Sequence, residues 1–205
     1  VINIGTITDQ VYESMIGSGQ TANEKGIPVI FDPVGVGATT YRTHLAHDFL
    51  KQVDVSIITG NSSEIYTLIG GDVVTKGVDA GNVTMSNKEL ALEAAKKLGK
   101  VVVVSGAVDA ISDGVQVVQV ENGDIWMPQI TGTGCMATSL IASFAGVTDD
   151  YFTAASVGMS ALSLAGELAK KAIMSHEGIA TYRVKLIDTI FHMNGDIWAK
   201  GVRLS

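Results

Sequence analysis

Cysteine is almost absent: Cys135 stands alone in a chain of 205 residues. An internal disulfide is therefore excluded, the fold does not depend on an oxidising compartment, and the cytoplasm is the default location. Charge is scarce too, at 17% Asp, Glu, Lys and Arg, against roughly 25% in an average soluble protein. Basic residues are the scarcer sign: 14 Lys and Arg face 21 Asp and Glu, a net charge of −7, and they cluster only in pairs such as Lys96-Lys97 and Lys170-Lys171. Holding nucleic-acid phosphates needs a basic face, so that class of function is excluded. No composition shift, linker or internal repeat divides the sequence, and residues 1–205 read as one domain. Hydrophobic residues make up 46% and mean hydropathy is +0.31, which excludes disorder for the bulk of the chain.

The first residues, Val1-Ile2-Asn3-Ile4-Gly5, read as the end of a buried strand with no initiator Met and no charged leader. The chain is accordingly expected to lack its beginning. Charge is also missing from Ile125 to Thr148 and from Tyr151 to Gly166, and a spanning helix needs about 20 apolar residues. The first run is interrupted by Pro128, Gly132 and Gly134. The second is rich in Ala, Ser and Gly and ends in Glu167-Leu168-Ala169-Lys170-Lys171. Both are expected to be helices buried inside a folded domain rather than membrane spans.

Short β-branched runs alternate with segments of helical period, the pattern of a parallel sheet covered by helices. Strands are expected at Val1 to Gly5, Pro28 to Asp32, Asp54 to Thr59 and Val101 to Ser105. Helices are expected at Asp9 to Lys25, Tyr41 to Gln52, Ser62 to Ile69 and Ser86 to Leu98, with Asp9 and Ser86 as N-caps and Gly26, Gly70 and Gly99 as stops. Asn-Gly between apolar runs predicts a hairpin of Val115 to Val120 with Ile125 to Met127. Further helices are expected near Gly134 to Ala145, Asp150 to Lys171 and Thr181 to Ala199. Gly70 to Met85 reads as the one long, mobile loop.

Ligands of open α/β sheets bind beyond the carboxyl ends of the strands, so the loops there are the first candidates. Asp32-Pro33-Val34-Gly35-Val36-Gly37-Ala38-Thr39 puts an acid at a strand tip before a glycine-rich turn, suited to a cation or its waters, or to a tight turn alone. In Thr59-Gly60-Asn61-Ser62-Ser63-Glu64, Asn61 and Glu64 are three apart. That spacing fits a shared ligand or metal-bound water, and equally a capping box. Thr131-Gly132-Thr133-Gly134-Cys135 leads into a helix, whose free N–H groups and dipole suit a phosphate. Cys135 is then either a thiolate-favouring first-turn residue or a free, packed cysteine. His44 and His47 lack further metal ligands and read as a solvated helix face, while Trp126 and Trp198 read as packing.

Together these three motifs, in this order and with a Cys in the third, strongly resemble hydroxyethylthiazole kinases, and the likeness runs from Val1-Ile2-Asn3-Ile4-Gly5-Thr6 to Tyr182-Arg183-Val184-Lys185-Leu186-Ile187-Asp188. The resemblance implies an α/β, ribokinase-like three-layer sandwich with a mostly parallel central sheet. It implies transfer of the ATP γ-phosphoryl group to the hydroxyl of 4-methyl-5-(2-hydroxyethyl)thiazole in thiamine salvage. Asp32 and Glu64 match the acidic positions for Mg²⁺; Thr59, Asn61, Ser105, Thr133 and Gly134 match ATP or phosphate positions; Gly132, Gly35 and Val36 match substrate positions. Cys135 stands where most enzymes of the fold place an Asp base. A homotrimer with active sites between subunits is also implied. Thr59 departs from the Arg or Lys common in the family, and a further N-terminal segment that helps to line the thiazole pocket is expected. The rival readings are another ribokinase-like kinase acting on a vitamin precursor and, from a different class, a cysteine hydrolase built on Cys135, which requires a paired His.

Overall fold

Val101-Val102-Val103-Val104 has no polar face, because both faces of its strand are covered. The computed structural model describes residues 1–71 and 85–205, so the expected loop between Gly70 and Met85 lies mostly outside the described residues. Among them, six strands lie side by side in chain order: β1 (Ile2–Asn3), β2 (Ile30–Asp32), β3 (Ile57–Asn61), β4 (Val101–Ser105), β5 (Asp109–Ser112) and β6 (Val117–Val120). The first four are mutually parallel, and β5 and β6 add an antiparallel edge. Phe31, Ile58, Val102, Val104 and Ala110 point into one core, beneath α1 (Asp9–Glu24), α2 (Thr40–Gln52), α3 (Ser62–Leu68) and α4 (Asn87–Leu98). Their neighbours Ile30, Ile57, Val101, Val103 and Ile111 point into a second, beneath α5 (Thr133–Ala145), α6 (Tyr151–Lys171) and α7 (Ile179–His192). The period-2 alternation of strands thus builds the three layers expected.

Helix α6 is long and apolar enough to cross a membrane by length and composition, yet 67% of that stretch is buried within the protein. Its small residues serve close packing: a Cβ on Gly158 would stand 2.6 Å from Ile141 Cα on α5. Local chemistry sets most helix ends. Ser86 and Glu89 form a capping box on α4, and Gly99 closes that helix at φ 65°, a left-handed conformation open to glycine. The cap of α1 is Thr8, whose side chain accepts from Val11 N, with Asp9 in the first turn rather than at the cap.

Two expectations are corrected. The hairpin joins β5 to β6 through Asp113 to Gln116, because Asp113 Oδ1 accepts from Val115 N (2.8 Å) and Gln116 N (2.9 Å) and fixes the turn there. Val115 is 90% exposed, and Ile125 to Met127 is no strand: Met127–Gln129 forms a 3-10 turn with Pro128 inside. The expected helix from Thr181 to Ala199 is two, α7 and α8 (Gly195–Gly201), since Met193 is extended and Asn194 starts the second by capping Ile197 N. Beyond β6, residues 203–205 run back along its outer edge. Gln119 and Ser205 exchange both backbone hydrogen bonds, at 2.8 and 3.1 Å, and Glu121 N reaches Arg203 O at 3.0 Å.

Candidate active site

Each of the four parallel strands ends on a polar residue: Asn3, Asp32, Asn61 and Ser105. The register sets Asn3 beside Asp32 and Asn61 beside Ser105, so they form a row at the carboxyl edge. Polar groups there face the loops instead of a core, which is why an apolar strand can end this way. The N-terminus of α5 arrives at the same edge. Gly132 takes φ 101° and no side chain caps the helix, so its first N–H groups are left for a ligand. A Cβ on Gly134 would meet nothing within 4 Å, so the turn is open on that side.

Asp32 is 5% exposed, and its Oδ2 accepts from Asn3 Nδ2 at 2.7 Å and from Thr138 Oγ1 at 3.1 Å. Burial, then the Glu64 charge, push its carboxyl up to about 6, against the opposing effect of those two hydrogen bonds. Glu64 is also pushed up by burial; its Oε1 accepts from Gly35 N (2.7 Å) and its Oε2 from Asn61 N (2.9 Å). Asn61 Oδ1 in turn caps Glu64 N at 2.9 Å, so the capping box is real. The same glutamate also fastens the glycine-rich loop after β2 to the turn after β3. Asp32 and Glu64 thus bring two carboxylates to one edge, the Glu64 charge raising the cost of ionising Asp32 with no basic side chain among the causes that offset it, while among the described residues no cluster of three or more His, Cys, Asp or Glu surrounds them. Each Glu64 oxygen accepts one hydrogen bond and retains capacity for a further partner, whereas Asp32 Oδ2 already accepts two.

Cys135 is exposed in the first turn of α5, and Asn3 Nδ2 lies 3.4 Å from its sulfur. Among the described residues no histidine hydrogen-bonds it, which leaves a hydrolase dyad without its base. Thr59 is 6% exposed and its hydroxyl lies 3.0 Å from that of Thr138, inside the protein rather than on the rim. Thr133 Oγ1 turns back to Met127 O and Ile130 O, both at 3.4 Å. Ser105 Oγ donates to Gly60 O at 3.3 Å. Gly35 has φ 77°, and Val36 is 2% exposed with its side chain in the first core. His44 and His47 lie on α2, outside this row.

A family model described as the hydroxyethylthiazole kinase family matches residues 1–196. The chain belongs to that family. Hydroxyethylthiazole kinase of Ruminiclostridium cellulolyticum is 46% identical over 208 residues, covering 100% of this chain and 76% of its own. The kinase of Moorella thermoacetica is 42% identical over 204 residues, with 100% and 75% covered. Among solved structures, a hydroxyethylthiazole kinase protein from Pyrococcus horikoshii superposes with a TM-score of 0.86 at 32% identity, over 100% of this chain and 75% of that one. An ADP/ATP-dependent NAD(P)H-hydrate dehydratase from Bacillus subtilis, at TM-score 0.58 and 20% identity over 84% of this chain and 56% of its own, shares the fold alone.

For this family member, sequence reasoning missed three residues at the site. Asn3 was visible as a polar strand tip, the signal that singled out Asp32. Thr138 lies one helical turn beyond Gly134, whose carbonyl its hydroxyl contacts at 3.1 Å, and only the fold brings it to Asp32. Arg42 donates to Ile4 O (2.6 Å), Val34 O (3.1 Å) and Gly5 O (2.9 Å), clamping the loops after β1 and β2 together.

Proposed function

We propose that this chain is a kinase that moves the γ-phosphoryl group of ATP to the hydroxyl of 4-methyl-5-(2-hydroxyethyl)thiazole. The observation that carries the reading is the meeting of Asp32, Cys135 and the uncapped start of α5 at one strand edge, in a member of this family. Phosphoryl transfer passes through a loose transition state with charge spread over the equatorial oxygens, so the protein's task is mainly positioning and electrostatic stabilisation. The N–H groups of Thr133, Gly134 and Cys135, which no side chain caps, would receive such oxygens, and the α5 dipole adds to that attraction. The Cys135 sulfur accepts or orients the proton of the attacking hydroxyl.

Asp32 and Glu64 would hold Mg²⁺, directly or through water. Bound there, the ion would supply positive charge that offsets the charge of the phosphates. Asn61 and Ser105, side by side on β3 and β4, are assigned to ATP. Gly132 and the backbone of Gly35 and Val36 are assigned to the thiazole alcohol. Thr133 and Gly134 contact phosphate through their N–H groups. Thr59 is assigned a positioning role through Thr138, since its hydroxyl is already engaged inside the protein. We also retain the cytoplasm, which a free, exposed Cys135 supports, and a homotrimer with shared active sites.

The test is phosphorylated product by mass spectrometry after incubating purified chain with the thiazole alcohol, ATP and Mg²⁺, beside the same chain extended at its N-terminus. Product that disappears when Mg²⁺ is removed is expected. Its absence from both preparations would sink the reading.

A further inference from the structure

We propose that Asn3 is a positioning residue for phosphoryl transfer: its amide holds the Cys135 sulfur as a hydrogen-bond acceptor and ties it to Asp32. The inference rests on the reading of Cys135 as the group that receives the hydroxyl proton.

The orientation of the amide is determined by its surroundings. Gly5 N lies 2.8 Å from Asn3 Oδ1, and a backbone N–H can only donate, so the oxygen must be on that side. The NH₂ group therefore faces the other way, toward Asp32 Oδ2 at 2.7 Å and Cys135 Sγ at 3.4 Å. Its two hydrogens meet two acceptors, leaving no hydrogen over. The fit is tight: a Cβ on Gly5 would stand 2.9 Å from Asn3 Oδ1, so any larger residue there would push the amide from its place. Carbonyls of Ile4 and Gly5 are held in turn by Arg42, which fixes the backbone just beyond Asn3.

The chemistry follows from the donor's direction. A sulfur that accepts from Asn3 turns its own hydrogen elsewhere and keeps electron density toward the amide. As the sulfur takes up negative charge, the N–H dipole stabilises it. Neither Asp32 nor Glu64, the acids at this edge, can supply that donor while ionised. Asn3 thus gives the site one group that senses both the acid at the tip of β2 and the thiol at the start of α5, across 132 residues of sequence.

The variant Asn3→Leu is close to Asn in size and removes the donor without setting a second carboxylate 2.7 Å from Asp32. The first readout is alkylation of Cys135, the single cysteine, by iodoacetamide at neutral pH without nucleotide or metal. Loss of the donor is expected to slow alkylation by about threefold or more, whereas a loosened fold would speed it. The second is a cycle of turnover numbers at saturating substrates with Cys135→Ala. If Asn3 acts through the sulfur, the double variant falls short of the product of the single losses by about threefold or more. Unchanged or faster alkylation, or losses that simply multiply, overturns the proposal. Parent-like turnover of Cys135→Ala alone would instead remove the reading of Cys135 on which it rests. Should Asn3→Leu fail to fold, judged by its melting curve, Asn3→Ser is put through the same two measurements.

Discussion

One carboxylate at the same edge of the sheet, on the strand beside the one that Ser105 ends, gives the clearest pH signature. Asp109 is 4% exposed, accepts from Gly106 N at 2.9 Å and from Ser163 Oγ at 2.8 Å, and is pushed by burial from 3.8 to about 6. The folded protein therefore keeps this proton to higher pH than the unfolded chain does. Its contribution to stability is full below about pH 4 and is lost as pH rises through about 6, beyond which it stays level. Two units correspond to about 3 kcal/mol as an upper figure. Asp109→Asn should flatten that part of the curve, which urea unfolding at several pH values would read directly. For Cys135→Ala the expectation is slower turnover, by about 10²-fold, without abolition, because a loose transition state demands proton removal late. Steady-state kinetics at saturating alcohol checks it, and an unchanged turnover number counts against a proton-accepting sulfur. At this scale the sequence was informative wherever chemistry is local. The acid at a strand tip, the glycines before a helix and the Asn61–Glu64 spacing could all be read in it. Thr138, Arg42 and the buried turn of Thr59 were not legible, since each depends on contacts with residues at least 38 positions away or on clamps made only after folding.

Elements were legible to within a few residues where the local signal had a single meaning, and not where two signals competed. Asn122-Gly123 and Asp113-Gly114 are both good turn sequences, and the hairpin was expected at the first without the second being considered. Asn122 is in fact 3% exposed, and its side chain clasps Glu167 Oε2 (2.9 Å), Gly201 O (3.0 Å) and Arg203 N (2.7 Å), partners scattered through the last quarter of the chain. Its amide had been committed to long-range work that no window around it can show. The break between α7 and α8 was missed because the apolar period continues through it, although Asn194-Gly195 is a cap signal in its own right. The fit of α5 against α6 gives a prediction at this scale. Gly158→Ala places a methyl group 2.6 Å from a backbone carbon of α5, which a rotamer change cannot relieve. Destabilisation of about 1–3 kcal/mol is expected, together with a loss of turnover, because the shifted helix carries Gly134 and Cys135. Parallel melting and kinetic measurements would show both; an unaffected melting temperature would mean that the helices are less closely seated than described.

For the molecule as a whole, the order of strands and helices sufficed to set four parallel strands under two layers of helix, and the antiparallel edge followed from the change of pattern after Gly106. Assembly is another matter, because nothing in a period or a spacing records a partner. The expected homotrimer is tested by sedimentation equilibrium: a species of three 21.4 kDa chains is expected, and a monomer that still turns over would exclude active sites that need a neighbour. The two margins of the sheet, by contrast, are visible. On one side β1 spans only Ile2–Asn3; on the other, β6 is covered by residues 203–205. Open strand edges are templates for pairing with other chains. Here the outer edge of β6 is occupied by residues 203–205, anchored through Arg203 to Glu167 at 2.8 Å. Residues 203–205 thus work as a sealing strip: they satisfy a row of β6 backbone groups that an open edge would offer to another chain.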